Sequence, residues 1–317
     1  MKRQTGRSRL LAVLTVAALV WSLALDLGGA QAAQVTATWA NNITGNWNET
    51  ARWSGLVGGD SYPNNDASDT YSIVIDGIAG TGPSSVTLNV SVAIDNLTVT
   101  SDSALTIANN NNLTVVSGAT AGTITNAGTI ALSSSGSLTN LIIGTGGTVT
   151  LQGGGNIALG NNGSNRIYSN TAGSVLDNLN NTISGAGQIL SNAGRLTLKN
   201  ETAGIIDATG TVALTVSDFT GATTLLNTGI LRSSNTTAGN GGLVLANTTV
   251  DNTGSSNGGR ITAIGANTHV DLNSATIQGG TLTTSGGGVI QTVNTGTGTL
   301  DGSTAQVTIT GEAPSRW

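Results

Sequence analysis

Few side chains in this chain are equipped for chemistry, and their spacing narrows what they can do. There is no cysteine and one histidine in 317 residues, so thiol nucleophiles and zinc sites of the Cys/His kind are excluded. The best-placed group is Asp251, His269 and Asp271. His269 and Asp271 alternate with Val270 and Leu272, and Asp251 precedes Asp271 by close to one turn of the repeat described below. Two carboxylates stacked on one face would suit glycoside hydrolysis, which needs them roughly 5 to 9.5 Å apart. The alternation places Val270 and Leu272 inward and puts His269 and Asp271 on the solvated face. Nucleophile, base and orienting group cannot all be named there, so the reading is no catalytic residue.

Residues 36 to 77 hold the other candidates. Trp39, Trp47, Trp53 and Tyr62 cluster here, and exposed rings of this kind stack on apolar or cationic ligand faces such as those of a sugar. The alternative, which the sequence favours, is a structural cap over the end of a repeat array. Asp60, Asp66, Asp69 and Asp76 invite a calcium reading. Their spacing fits neither an EF-hand loop nor the β-roll repeat, so no metal and no cofactor are expected. Aspartates among Asn, Ser and Gly read better as Asx-turns. No phosphate-binding G-x-x-x-x-G-K-[ST] loop exists either.

The element that must position these residues is a short strand. Leu97-Thr98-Val99, Leu105-Thr106-Ile107 and Leu113-Thr114-Val115 repeat one apolar–Thr–apolar triplet, each copy eight residues after the last. Within a triplet the apolar side chains share one face and the Thr looks outward. Small polar residues of turn character separate the copies. Three such units make a coil of about 24 residues, inside the range of solenoid periods. A second repeat, Asn-x-Gly before an apolar run, begins at Asn126, Asn192 and Asn227, with a partial copy at Asn252. Asn and Gly tolerate left-handed backbone and so make sharp corners. Inward Asn at successive corners can stack into hydrogen-bonded ladders.

Composition agrees. Charged residues are 9% of the chain, against roughly 25% in ordinary domains, and aromatics are 3%. A solenoid needs no large rings, because small aliphatics of one coil bury against the next. Residues 1–32 read as a signal peptide: Lys2, Arg3, Arg7 and Arg9, an apolar run from Leu10 to Leu25, then the A-x-A cleavage site Ala30-Gln31-Ala32. No later stretch is apolar enough to span a membrane. The chain carries a formal net charge of −5, and removing the leader takes four basic side chains with it, which argues against nucleic acid as a partner.

Residues LDNLNNTISGAGQI (176–189), NAGRLTL (192–198), NTGILRSS (227–234), ATIQGGTLTT (275–284) and LDGSTAQVTITG (300–311) resemble the repetitive passenger segments of bacterial autotransporter-like and filamentous surface adhesins. The resemblance implies an all-β, right-handed parallel β-helix (a β-solenoid) at the cell surface. Such passengers usually run on into an outer-membrane β-barrel, which does not follow here, so a fragment of a longer protein is expected. The expected organisation is a signal peptide (1–32), a Trp-rich N-terminal cap (33–77) and β-helix repeats (78–317). The expected function is an exported, non-catalytic structural or adhesin-type module, secreted or associated with the outer membrane, monomeric or part of a longer chain. It would bind polysaccharide or a host or neighbouring cell surface weakly and multivalently. A secreted β-helix polysaccharide lyase or hydrolase, and an inert spacer of a longer adhesin, are the alternatives.

Overall fold

The computed structural model describes residues 32–311 except 41, 76–82, 117–120, 145, 255–257 and 294–295. The leader before Ala32, Ala30 included, lies outside the described residues, as does Asp76. The chain is almost entirely β and winds as a mostly parallel solenoid with an aromatic cluster near its N-terminus. Strand after strand shows alternating burial: Asn96–Val99, Ala104–Ala108 and Asn112–Val115 each bury their Leu and second aliphatic residue while Thr stays half-exposed. The three triplets therefore occupy three different faces of a single coil. Asn96–Val99 pairs back to Asp69–Ile75, Ala104–Ala108 to Ser85–Leu88, and Asn112–Val115 to Val92–Ile94. Each of these three parallel ladders then continues along the molecule, giving a first, a second and a third sheet around one core.

The coil length varies about the 24 residues that the triplets suggest. That value holds between Ser72 and Asn96, but 27 separates Asn96 from Thr123 and Thr125 from Gln152, 22 separates Asn178 from Asn200, and 27 returns between Asn200 and Asn227. Pairing stays in register across these coils, so the corners absorb the difference, since a loop tolerates insertion where a ladder does not.

The inward asparagines are present, with one correction. Asn126, Asn227 and Asn252 are fully buried. Asn192 is not: it and Ala193 take left-handed angles (φ 51° and 61°) in an exposed turn, and its amide donates to the Ser169 carbonyl at 2.8 Å. Its place in the stack is held by Asn178 and Asn200, which no Asn-x-Gly motif marks. Asn178 Nδ2 donates to Asn200 Oδ1 (2.9 Å), Asn200 Nδ2 to Asn227 Oδ1 (2.8 Å), Asn227 Nδ2 to Asn252 Oδ1 (2.8 Å), and Asn252 Nδ2 to the Gly279 carbonyl (3.2 Å). Glycines line the adjoining corner because a side chain would strike this ladder. A Cβ on Gly259 would lie 2.1 Å from the Asn227 carbonyl oxygen and 2.4 Å from Asn252 Oδ1.

The cap is itself a coil. Ala33–Trp39 runs parallel to Asp69–Ile75, with Val35 beside Tyr71 and Ala37 beside Ile73, so the first strand of the solenoid begins inside the stretch set apart by composition. The alternation in AQVTATW carries it.

Candidate functional site

The aromatic candidates converge, but inward. Trp39 and Trp47 are fully buried, and Trp53 retains 8% exposure. The Trp53 ring meets Trp39 edge-on at 5.0 Å between centroids and Trp47 at 4.7 Å. Each indole N–H is satisfied by backbone: Trp39 by the Ile43 carbonyl (3.0 Å), Trp47 by Pro63 (3.0 Å) and Trp53 by Trp47 (2.7 Å). Rings paired on edge with their polar handles spent present no open face for a sugar. Tyr62 packs against this core, partly buried.

The aspartates beside the cap have structural partners. Asp60 Oδ2 accepts the Tyr71 hydroxyl at 2.5 Å, and burial, then this bond, pushes the phenol up to about 12. Asp66 Oδ1 accepts the backbone N–H groups of Ser68 and Asp69 at 2.7 and 2.9 Å. These two bonds, Asp69 first, hold the Asp66 carboxyl below its ordinary range. Among the described residues no three His, Cys, Asp or Glu side chains are grouped to hold a metal ion.

The trio of Asp251, His269 and Asp271 comes apart. Asp251 lies on the first sheet beside Gln278, whereas Asp271 lies on the third sheet between Val244 and Gln291. Their spacing suggests stacking one coil apart, but the local coil is longer than their separation, so the two carboxylates fall on different faces. His269 and Asp271 do remain together, with Nδ1 and Oδ1 3.1 Å apart. Nor are they freely solvated as expected: Asp271 is only 9% exposed and accepts Gln291 Nε2 at 2.9 Å. The reason is the chain before Leu243, which lies against this strand. His269 Nε2 is 3.1 Å from the Asn240 carbonyl, and a Cβ on Gly242 would sit 2.4 Å from the ring. The Asp271 carboxylate first, and the Asn240 carbonyl after it, raise the His269 pKa; burial opposes them.

A different constellation lies on the outer face of the second sheet. There a depression is lined by Asn156, Thr182, Ser184, Asp207 and Thr209 together with the corner Gly154–Gly155. Asp207 is 3% exposed. Its Oδ2 accepts Arg232 Nε at 2.6 Å and the Ser234 hydroxyl at 3.0 Å, while Oδ1 is buried without a partner. It is the sole acidic residue among those lining the depression, so a two-carboxylate hydrolytic pair is not assembled there. Asp207 is not among the candidates that the sequence singles out. No local motif points to it, because Ser184, Asp207 and Arg232 become neighbours only through the register of three successive coils.

Asp177 on the first sheet is the remaining acid of interest. Burial first, then Glu201, raises its carboxyl while Lys199 opposes, and its Oδ1 is buried without a partner. Lys199 occupies the register position directly beside it.

No family model matches the chain, and neither the curated proteins nor the solved structures contain a match to it.

Proposed function

We propose that this chain is an exported, non-catalytic adhesin-type module of the kind its repeats resemble, and that it binds polysaccharide or a cell surface through many weak contacts. The observation that carries the reading is the character of the outer faces. On the second sheet one outward row runs Ser85, Ala104, Thr129, Asn156 and Thr182, and a neighbouring row begins Thr87, Thr106, Ala131, Ala158 and Ser184. Such rows present hydroxyl and amide groups, interspersed with alanine, on coils about 4.8 Å apart. A periodic surface with few charges suits a periodic polymer, and repetition supplies avidity where each contact is weak. Export rests on the leader-like residues 1–32. Among the described residues no helix is long and apolar enough to cross a membrane.

The test is to incubate the purified chain with a panel of polysaccharides, measuring retention by affinity electrophoresis and release of reducing or unsaturated ends. Retention without release supports the module. Steady release that scales with protein concentration would instead favour a polysaccharide lyase or hydrolase. Neither retention nor release would leave the spacer reading.

A further inference from the structure

We propose that Asn162 is a site of spontaneous covalent modification, where the folded chain deamidates to aspartate and isoaspartate, while the Asn-Gly pair at Asn240 is protected by its coil. This chemistry does not depend on the adhesin reading above. Asn-Gly occurs at 162–163, 240–241 and 257–258, and Asn257 lies outside the described residues. Glycine favours the reaction because no Cβ shields its nitrogen or restricts its backbone. The glycine nitrogen attacks Cγ of the preceding asparagine and closes a succinimide ring. The Cγ–Nδ2 bond breaks, and Nδ2 leaves as ammonia with the proton that the attacking N–H gives up. Water then opens the ring at either carbonyl, so one water is consumed for each ammonia released.

The two described pairs sit in opposite surroundings. Asn240 is 7% exposed. Its Nδ2 donates to the carbonyls of Asn235 (2.8 Å), Thr237 (3.0 Å) and Asn267 (2.7 Å), and its Oδ1 accepts the Gly242 N–H at 2.9 Å. Its Cγ cannot swing toward the Gly241 nitrogen without opening the whole corner. Gly241 is also pressed against the neighbouring coil, where a Cβ would lie 1.9 Å from the Ala213 nitrogen.

Asn162 lies where the strand Asn156–Tyr168 crosses from the second sheet to the third. Asn161 pairs with Ala186, and pairing resumes only at Asn165 with Thr139 and Arg166 with Gln188. Residues 162–164 therefore have no register partner on either neighbouring coil. Asn162 and Gly163 are half-buried. Asn162 Oδ1 accepts the Ser164 N–H at 2.9 Å, an Asx-turn bond, and Nδ2 has no partner among the described residues. Around Gly163 there is room to turn: a Cβ there would meet only Val212 Cγ1, at 3.9 Å. Isoaspartate would route the backbone through Cγ and leave the former Asn162 carbonyl, which accepts Asn165 Nδ2 at 3.1 Å, as a free carboxylate. Asn165 also ties the Gly160 carbonyl (2.7 Å) and the Ser134 N–H (2.9 Å), so this corner would register the change.

Ageing the full chain at mildly alkaline pH tests the site, with peptide mapping by mass spectrometry and isoaspartate read by enzymatic methylation. Asn162 is expected to be lost at least about tenfold faster than Asn240, the factor that one net hydrogen bond is worth. In concentrated urea the two rates should converge, because the flanking residues are then alike and the coil is gone. Gly163→Ala, which the open space accommodates, is expected to slow the loss at Asn162 by hindering the attacking nitrogen; a thermal melt establishes that the variant folds. An Asn162 that stays intact in the folded chain but deamidates in urea overturns the site, and so does loss of Asn240 at an equal or greater rate. Loss at Asn162 that folded Gly163→Ala leaves unchanged overturns the succinimide route.

Discussion

One inward column of the first sheet is built in two chemistries. In the front half it reads Ile73, Leu97, Ile124 and Leu151 on successive coils; in the rear half it continues as Asn178, Asn200, Asn227 and Asn252. All eight are buried. The front obtains its stability from transfer of aliphatic surface, which needs no alignment between coils. The rear obtains it from a directed chain of amide hydrogen bonds, in which Asn178, Asn200 and Asn227 each donate to the next Asn and the first two also tie their own corners. Asn178 Nδ2 bonds the Asn181 carbonyl (2.9 Å) and Asn200 Nδ2 the Gly204 carbonyl (3.2 Å). A buried amide is tolerable only when its groups are paired. The same position therefore demands little of the neighbouring coil in front and a great deal behind.

The sharpest way to break this comparison is to exchange the chemistries. Ile124→Asn puts an amide between Leu97 and Leu151, neither of which can pair with it. The expected loss is about 4 kcal/mol, combining lost apolar burial with an unsatisfied buried polar group. Urea unfolding should show the midpoint falling, and hydrogen exchange should place the loosening around the mutated coil, since a solenoid transmits strain mainly to its neighbours. A loss under about 1 kcal/mol would mean that front coils accept amides and that the division is accidental.

The reverse exchange is expected to do less. Asn227→Leu deletes two rungs and leaves Asn252 Oδ1 without its donor, at about 2 kcal/mol; Asn200 Nδ2 keeps the Gly204 carbonyl and, at 3.3 Å, that of Ile230. The introduced leucine side chain would regain some apolar burial. Combining this substitution with Asn200→Leu should cost clearly less than the two single losses added, because a partner already removed cannot be stranded again. Strict additivity in the unfolding free energies would show that the amides act as isolated corner ties and not as a ladder.

How far the sequence could be read follows the same division. The triplets at Leu97, Leu105 and Leu113 announce their strands because a period of two is a local property, and the faces they occupy follow at once. The aromatic cluster near the N-terminus was legible because Trp39, Trp47, Trp53 and Tyr62 stand together in so aromatic-poor a chain. The rungs at Asn178 and Asn200 were not legible, since an amide's partner one coil away is visible only when the coil length is known. That length moves between 22 and 27 residues here. The same variation separated Asp251 from Asp271 and brought Asp207 beneath Arg232. Chemistry distributed across coils is encoded in corner lengths, which carry the weakest pattern in the chain.

The smallest expected effect also lies in the rear half, on the third sheet, where packing between coils acts through a titratable group. His269 has a raised pKa, chiefly from the Asp271 carboxylate. A neutral ring carries one N–H, whereas Nε2 faces the Asn240 carbonyl and Nδ1 the Asp271 carboxylate, so only the imidazolium presents a proton to both. A pKa higher folded than unfolded means that protonation stabilises the fold. The contribution is complete below the unfolded value of about 6.5 and is lost as pH rises through the raised folded value. Partial solvent exposure of the ring keeps the effect small. Urea midpoints of the wild type should therefore drop slightly between about pH 5.5 and pH 8.5 relative to His269→Gln, which has no such proton to lose. A wild-type midpoint that instead rises relative to the variant would reverse the sign and mean that burial of the ring outweighs Asp271. Equal slopes would remove the rear half's acid-stabilised contact and leave the amide ladder as the feature that distinguishes it from the front.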